Sequence, residues 1–428
     1  MALLVVLSML AALITVAAPA AATQSQGTIV APANAKSAAV IAATAAVLRE
    51  TSEIRQLQVL RPVKSGAQTR GDIERMIIKN LDEETTPEEM RASELALKKL
   101  GLVPADFQLR PFIIKLLTEQ VAGYYDPKAQ EFFLADWIDL DGQKPVMAHE
   151  LTHALQDQHF NLRRFEKWPK GDSDTELAIH ALIEGDASLV MTHYIARNPL
   201  RALAFMKSIG ASGSSSEEIE RAPRALRESL LFPYEQGTQW VLQLYRKTGW
   251  AEISRAYTSL PQSTEQILHA EKYFAREAPV KVDLQDAAAI LGSGWRRIDY
   301  DINGEWSYYL ILDEFLKSDG ESKRAAAGWG GDRYAVYEQP KTGEVLIAQL
   351  SVWDTEPDAL EFFDAYAKRT VRRYQDASAS ELKLEGVGRS WRTGEGGVII
   401  ERRGSRVLVV EGVPEKADVT ELLKALWG

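Results

Sequence analysis

The sequence contains no cysteine. Disulfides, thiolate nucleophiles, cysteine-bound zinc ribbons and iron–sulfur clusters are therefore excluded. Histidine is scarce: residues 149, 153, 159, 180, 193 and 269 must carry any imidazole chemistry. Positive charge is not in excess. Lys and Arg number 50 against 60 Asp and Glu, a net charge of −10. Nucleic acid is not an expected partner, because a grip on phosphate needs a basic face. Beyond the first two dozen residues, no apolar run is long enough to cross a bilayer. What is present is an ordinary globular balance: 428 residues, 46% hydrophobic and 26% charged. That suffices for roughly two or three domains and a sizeable core.

The N-terminus stands apart. An uncharged apolar run from Leu3 to Val16 leads into small residues, and Ala20-Ala21-Ala22 fits an A-x-A cleavage site before the polar Thr23-Gln24-Ser25-Gln26. This is the layout of a signal peptide over residues 1–22, although no Lys or Arg precedes the apolar run. Export to a periplasmic or extracellular space is expected. The alternative is an uncleaved helix that tethers the chain to a membrane.

The remaining chain divides by pattern into three parts. Residues 23–120 read as helical, with an Ala-rich stretch from Ala38 to Leu60. Thr86-Pro87-Glu88-Glu89 supplies an N-cap and a first-turn proline for a helix that stops at Gly101. Residues 121–330 open with two short strand-like runs, Val121–Tyr125 and Glu131–Leu134, around the turn signal Asp126-Pro127. Helices are then expected over 145–158, over 175–195 and through about Tyr273, with an amphipathic one at 304–317. Residues 331–428 read as a small α+β domain. Strand-like runs at 334–337, 345–352, 398–402 and 406–410 surround a helix at 358–374, and Gly404-Ser405 forms a two-residue hairpin loop. The fold class expected is α+β, mostly helical, with a small sheet beside the central helices.

One motif carries chemistry. Residues 149–153 read His-Glu-Leu-Thr-His, or H-E-x-x-H. On a helix the two histidines lie one turn apart on one face, where both imidazoles can bind one metal ion. Zinc suits such a pair, and Glu150 can act as general base toward a water. Val146, Met147, Leu151, Ala154 and Leu155 make this helix apolar, and buried imidazoles are costly unless partnered. The bland alternative is a coincidence with two solvent-facing histidines.

A third ligand must come from elsewhere. Glu184 is the leading candidate, on a second helix amid Leu182, Ile183, Ala187, Leu189 and Val190; it would complete a His₂Glu set. Its alternative is an exposed acid with Gly185 as a packing point. His180, one turn before Glu184, is a substitute ligand or outer neighbour. His159 points off the metal face, beyond the expected helix end, and His193 reads as structural. Asp157 and Asp186 are either carboxylates that orient an imidazole or solvated charges.

With these residues in view, the chain resembles zincin metallopeptidases of the gluzincin kind. The run 149–160 with Glu184-Gly185-Asp186-Ala187 also resembles a group of poorly characterised exported bacterial proteins. The resemblance covers about residues 120–195. It implies a zincin-like catalytic domain, a Zn²⁺ cofactor and a peptide or protein substrate. It also implies an edge strand before the metal helix that aligns the substrate, a place for Tyr124-Tyr125 and Phe132–Leu134. Thermolysin-like gluzincins carry an Asp four residues after the third ligand, and here that position is Ser188. In gluzincins a distant His or Tyr donates to the oxyanion; His269, Tyr273 and Tyr234 are the candidates, His269 first. The competing reading is an exported zincin-like binding or structural protein with little or no peptidase activity. Retention of Glu150 argues against it, since a closed structural zinc site needs no general base.

Overall fold

The computed structural model describes residues 33–428, apart from 138, 166–167, 212–216 and 383. The expected leader at 1–22 lies outside the described residues, and so does the reading of export that rests on it. Among the described residues no helix is long and apolar enough to cross a membrane.

The N-terminal part begins with α1 (Ala33–Arg55), β1 (Lys64–Gln68), α2 (Arg70–Glu84), α3 (Pro87–Lys99) and α4 (Leu109–Gln120). Thr86 caps α3 as its sequence predicts: the hydroxyl accepts from Glu89 N while the Glu89 side chain returns to Thr86 N. A hairpin follows, β2 (Gly123–Asp126) and β3 (Glu131–Ala135). The reading of 23–120 as wholly helical is corrected by β1, which pairs in parallel with β3. The resulting three-stranded sheet has the order β1-β3-β2, so β2 lies at its edge. Then come α5 (Lys144–Phe160), α6 (Ser173–Ala196), α7 (Pro199–Ala211) and α8 (Arg224–Thr248), with short helices including Thr264–Leu268 and Ala270–Ala275.

The C-terminal part holds β4 (Arg296–Asp301), α9 (Gly304–Leu316), β5 (Trp329–Gln339), β6 (Glu344–Trp353), α10 (Glu356–Arg373), β7 (Ser378–Ala379), β8 (Val387–Thr393), β9 (Gly396–Arg403), β10 (Arg406–Val413) and α11 (Val419–Trp427). Its strands form one antiparallel sheet in the order β4-β5-β6-β10-β9-β8-β7. The expected boundary at 331 falls inside this sheet, because β5 starts at Trp329 and β4 lies earlier still. Gly404 takes a φ of +61° in the β9–β10 hairpin, a conformation in which a side chain would be strained.

Both faces of the large sheet are covered, which explains why its central strands read as continuous apolar runs. Along β10, Val407 and Val409 face the core shared with Phe362, Phe363 and Tyr366 of α10. Leu408 and Val410 face the opposite core, with Leu422, Leu426 and Trp427 of α11. The helical pattern of α10 is imperfect: Leu360 and Val371 are exposed, while Arg369 is fully buried. Arg369 Nη2 donates to Leu100 O (2.5 Å), and Lys99 Nζ to Glu395 O (2.9 Å), so the end of α3 is fastened to the C-terminal part.

Candidate metal centre

The site is built where α5 packs against both α6 and the edge strand β2, with α8 packed in turn on α6. Helix α5 starts with Pro145 in its first turn and ends at Asn161, whose φ of 57° is left-handed. Every residue from Pro145 to Asp157 is buried. A helix that is buried all round has no solvent face for its polar groups, so those groups must find partners inside.

Helix α6 crosses α8 at almost backbone contact. A Cβ on Gly185 would lie 2.4 Å from the Gly237 carbonyl, and one on Gly237 would lie 2.3 Å from Ala181 O. No side chain fits in that crossing, so the packing role considered for Gly185 and the inward position of Glu184 hold together. Gly185→Ala is expected to cost about 1–3 kcal/mol by overpacking and to weaken metal binding through Glu184. Urea unfolding checks the first expectation; unchanged stability would contradict the crossing.

The three expected ligands converge. His149 Nε2 lies 3.0 Å from Glu184 Oε2 and 3.1 Å from His153 Nε2, and His153 Nε2 lies 3.5 Å from Glu184 Oε2. Two donors on one tetrahedral zinc, each at its usual bond length, stand about 3.3 Å apart. All three side chains are buried, at 1%, 3% and 1% exposure for His149, His153 and Glu184. Three lone-pair-bearing atoms facing one another in a dry interior repel unless a cation or a proton lies between them. Without a metal the proton must serve. Burial opposes a charge on His153, but the Glu184 carboxylate outweighs it and pushes the imidazole up to about 9. Burial likewise opposes the charge on Glu184, yet His153 and the hydrogen bonds from both imidazoles hold it down to about 2. His149 is lowered by burial, with the charge of His153 adding to the effect. Among the described residues, Glu184 Oε1 and His149 Nδ1 have no hydrogen-bond partner. The donor set therefore fits a divalent cation of zinc's preferences.

Glu150 sits beside this cluster, 1% exposed, and its Oε2 accepts from Tyr125 N of β2 at 3.0 Å. The edge strand thus fixes the carboxylate expected to serve as base.

Behind His153 the structure supplies a partner that the sequence reading passed over. His153 Nδ1 is 2.8 Å from Gln156 Oε1, and Gln156 Nε2 donates to Ile183 O (3.0 Å) and Asp186 Oδ2 (3.1 Å). Gln156 lies three residues from His153 on the same helix, a spacing that could have revealed it. Asp186 is thus an inner carboxylate and not a solvated charge; it also accepts from Arg55 Nε (2.6 Å) and Tyr257 OH (3.0 Å). Asp157 is buried too, but it clamps the helix end to Arg61 (2.8 Å) and Tyr125 OH (3.0 Å), and among the described residues it meets no imidazole.

The other candidates separate by place. His159 lies within α5, not beyond its end, and faces Gln58 O at 2.8 Å. His193 packs against Tyr245 and Trp250. His180 is pushed down to about 4 chiefly by burial, with Glu184 opposing and His153 adding to the shift.

His269 is not brought to the triad. Its Nε2 is 2.9 Å from Glu305 Oε1, and its Nδ1 is 3.8 Å from Glu271. Tyr273 OH donates to Ser259 O. Of the three oxyanion candidates, Tyr234 is the one beside the triad: its ring stacks on His149 at 6.1 Å. A second acidic group, Glu265, Glu277 and Asp354, gathers around Lys272 Nζ at 2.7, 2.8 and 2.5 Å, so its cation is a lysine.

A family model described as a domain of unknown function, DUF8575, matches residues 292–423. That range takes in the large sheet and leaves out the triad. No curated protein and no solved structure matches the chain.

Proposed function

We propose that this chain is an exported zinc-dependent peptidase with a zincin-like catalytic core. The observation that carries this reading is the meeting of His149 Nε2, His153 Nε2 and Glu184 Oε2 at one buried point beside Glu150. Those three residues would hold the ion, which when bound supplies Lewis acidity toward a scissile carbonyl and toward a water.

The chain's own groups do the rest. Glu150 takes a proton from the attacking water and returns it to the leaving amine. Tyr125 N–H holds one oxygen of that carboxylate and so sets its direction. Strand β2 lies at the sheet edge beside Glu150, where an extended peptide substrate would run. Burial of Leu151, Ala154, Leu155, Leu182 and Ile183 around the ligands keeps water out of the surrounding core.

Tyr234, stacked on His149, is assigned the role of steadying the oxyanion. Tyr234→Phe is expected to lower kcat about 10²–10³-fold while zinc content is unchanged.

The reading as a whole is tested with the purified protein and a mixed peptide library. Cleavage that stops on zinc chelation and returns on zinc addition supports it. Zinc uptake with no cleavage of any peptide would favour the binding-protein alternative.

A further inference from the structure

We infer that the buried chain Arg55–Asp186–Gln156 is the device that positions His153 for its ligand role, and that α1 is thereby an integral part of the metal centre. This rests on the metal reading above. The Gln156 amide has its orientation fixed by its neighbours. One end faces Ile183 O and Asp186 Oδ2, at 3.0 and 3.1 Å. Both are acceptors, so that end must be the NH₂ group. The carbonyl end then faces His153 Nδ1 at 2.8 Å. A carbonyl oxygen can only accept, so Nδ1 carries a proton, and in the neutral ring the free lone pair lies on Nε2. Nε2 is the atom that meets His149 and Glu184.

Gln156 is held in turn by Asp186. Asp186 is fully buried, and a buried carboxylate needs a charged partner. Arg55, the last residue of α1, supplies it at 2.6 Å, with both side chains at 0% exposure. Arg55 is itself held by Ser254 Oγ at 3.1 Å and by the Trp250 ring at 5.1 Å. Tyr257 OH donates to the same Asp186 oxygen as Gln156 does, at 3.0 Å. Among the described residues nothing supports His149 in this way, for its Nδ1 has no partner there. The device acts on one imidazole of the pair. It also makes α1 indispensable: removing it would leave Asp186 as an unpaired buried charge behind the ligands.

The test uses the full-length protein and zinc alone. Zinc affinity is measured by chelator competition for the wild type, Gln156→Met and Arg55→Met, well below the melting temperature of each metal-free protein. Both variants are expected to bind zinc about 10–100-fold more weakly, Gln156→Met the more so. A merely structural role would lower the melting temperatures and leave the affinities in place. NMR of the zinc-loaded wild type adds a readout that needs no variant to fold. A slowly exchanging Nδ1 proton on His153, with Nε2 on the metal, is expected. A proton on Nε2, or equal affinity in wild type and Gln156→Met, would overturn the inference and leave the metal reading standing. A wild type that takes up no zinc would overturn the metal reading itself.

Discussion

Glu150→Gln is expected to keep its zinc and lose its hydrolysis. The amide has the shape of the carboxylate, and its oxygen can still accept from Tyr125 N, so the bond between β2 and α5 survives. What disappears is the group that can take a proton. General-base assistance is worth about 10²–10⁴-fold in rate, and kcat should fall by that factor. Zinc content should stay at the wild-type level because Glu150 is not among the three converging residues. The measurement is kcat with the best library peptide, run beside zinc per chain. Full activity with zinc retained would remove Glu150 from the mechanism.

The largest expected effect on stability lies in the large C-terminal sheet. Glu411 is completely buried in β10. Its carboxylate meets Arg369 Nη1 at 2.7 Å, Arg373 Nη1 at 2.9 Å, Tyr366 OH at 2.5 Å and Tyr374 OH at 2.9 Å. All four partners belong to α10 or the residue after it, so this one side chain fastens helix to sheet. Glu411→Ala would strand the buried Arg369 guanidinium. Breaking a buried pair from one side costs about 3–5 kcal/mol, read as a shift in the urea midpoint.

Glu411 also sets a pH dependence. Burial alone would raise its pKa, but Arg369 and Arg373 outweigh that and hold it below the usual carboxylate range. The folded value is then lower than the unfolded one. Its contribution is therefore present at neutral pH and lost as pH falls through the folded value. In Glu411→Gln, stability should fall less steeply over the acid limb than in the wild type. Parallel acid limbs would contradict this.

The sequence disclosed the elements whose signal is local. The H-E-x-x-H helix, the Glu184 helix, the Thr86-Pro87 start and the Gly404-Ser405 hairpin each rest on spacings of a few residues, and each lies where the pattern put it. Strand β1 was hidden because Lys-Ser-Gly-Ala-Gln has no apolar alternation; it is a strand only through pairing with β3, with Lys64 opposite Glu131. Arg55 was hidden for the same reason, since its partner Asp186 is 131 residues away. Nothing near Arg369 in sequence announces its burial, since its partner Glu411 is 42 residues away. His269 was chosen as a lone distant histidine, and its place beside Glu305 is a tertiary fact without a local signature. Tyr234 was one of three aromatic or imidazole candidates, and its stacking on His149, a contact between helices far apart in sequence, is what sets it apart.

The zinc site expected of this chain is formed by His149, His153 and Glu184 together. It is tested most directly by zinc per chain in the purified protein beside Glu184→Ala, each after metal loading and removal of excess ion. Near-stoichiometric zinc in the wild type, lost or sharply weakened in the variant, is the result expected. Absence of zinc from the wild type after loading, or equal zinc in both proteins, would contradict it.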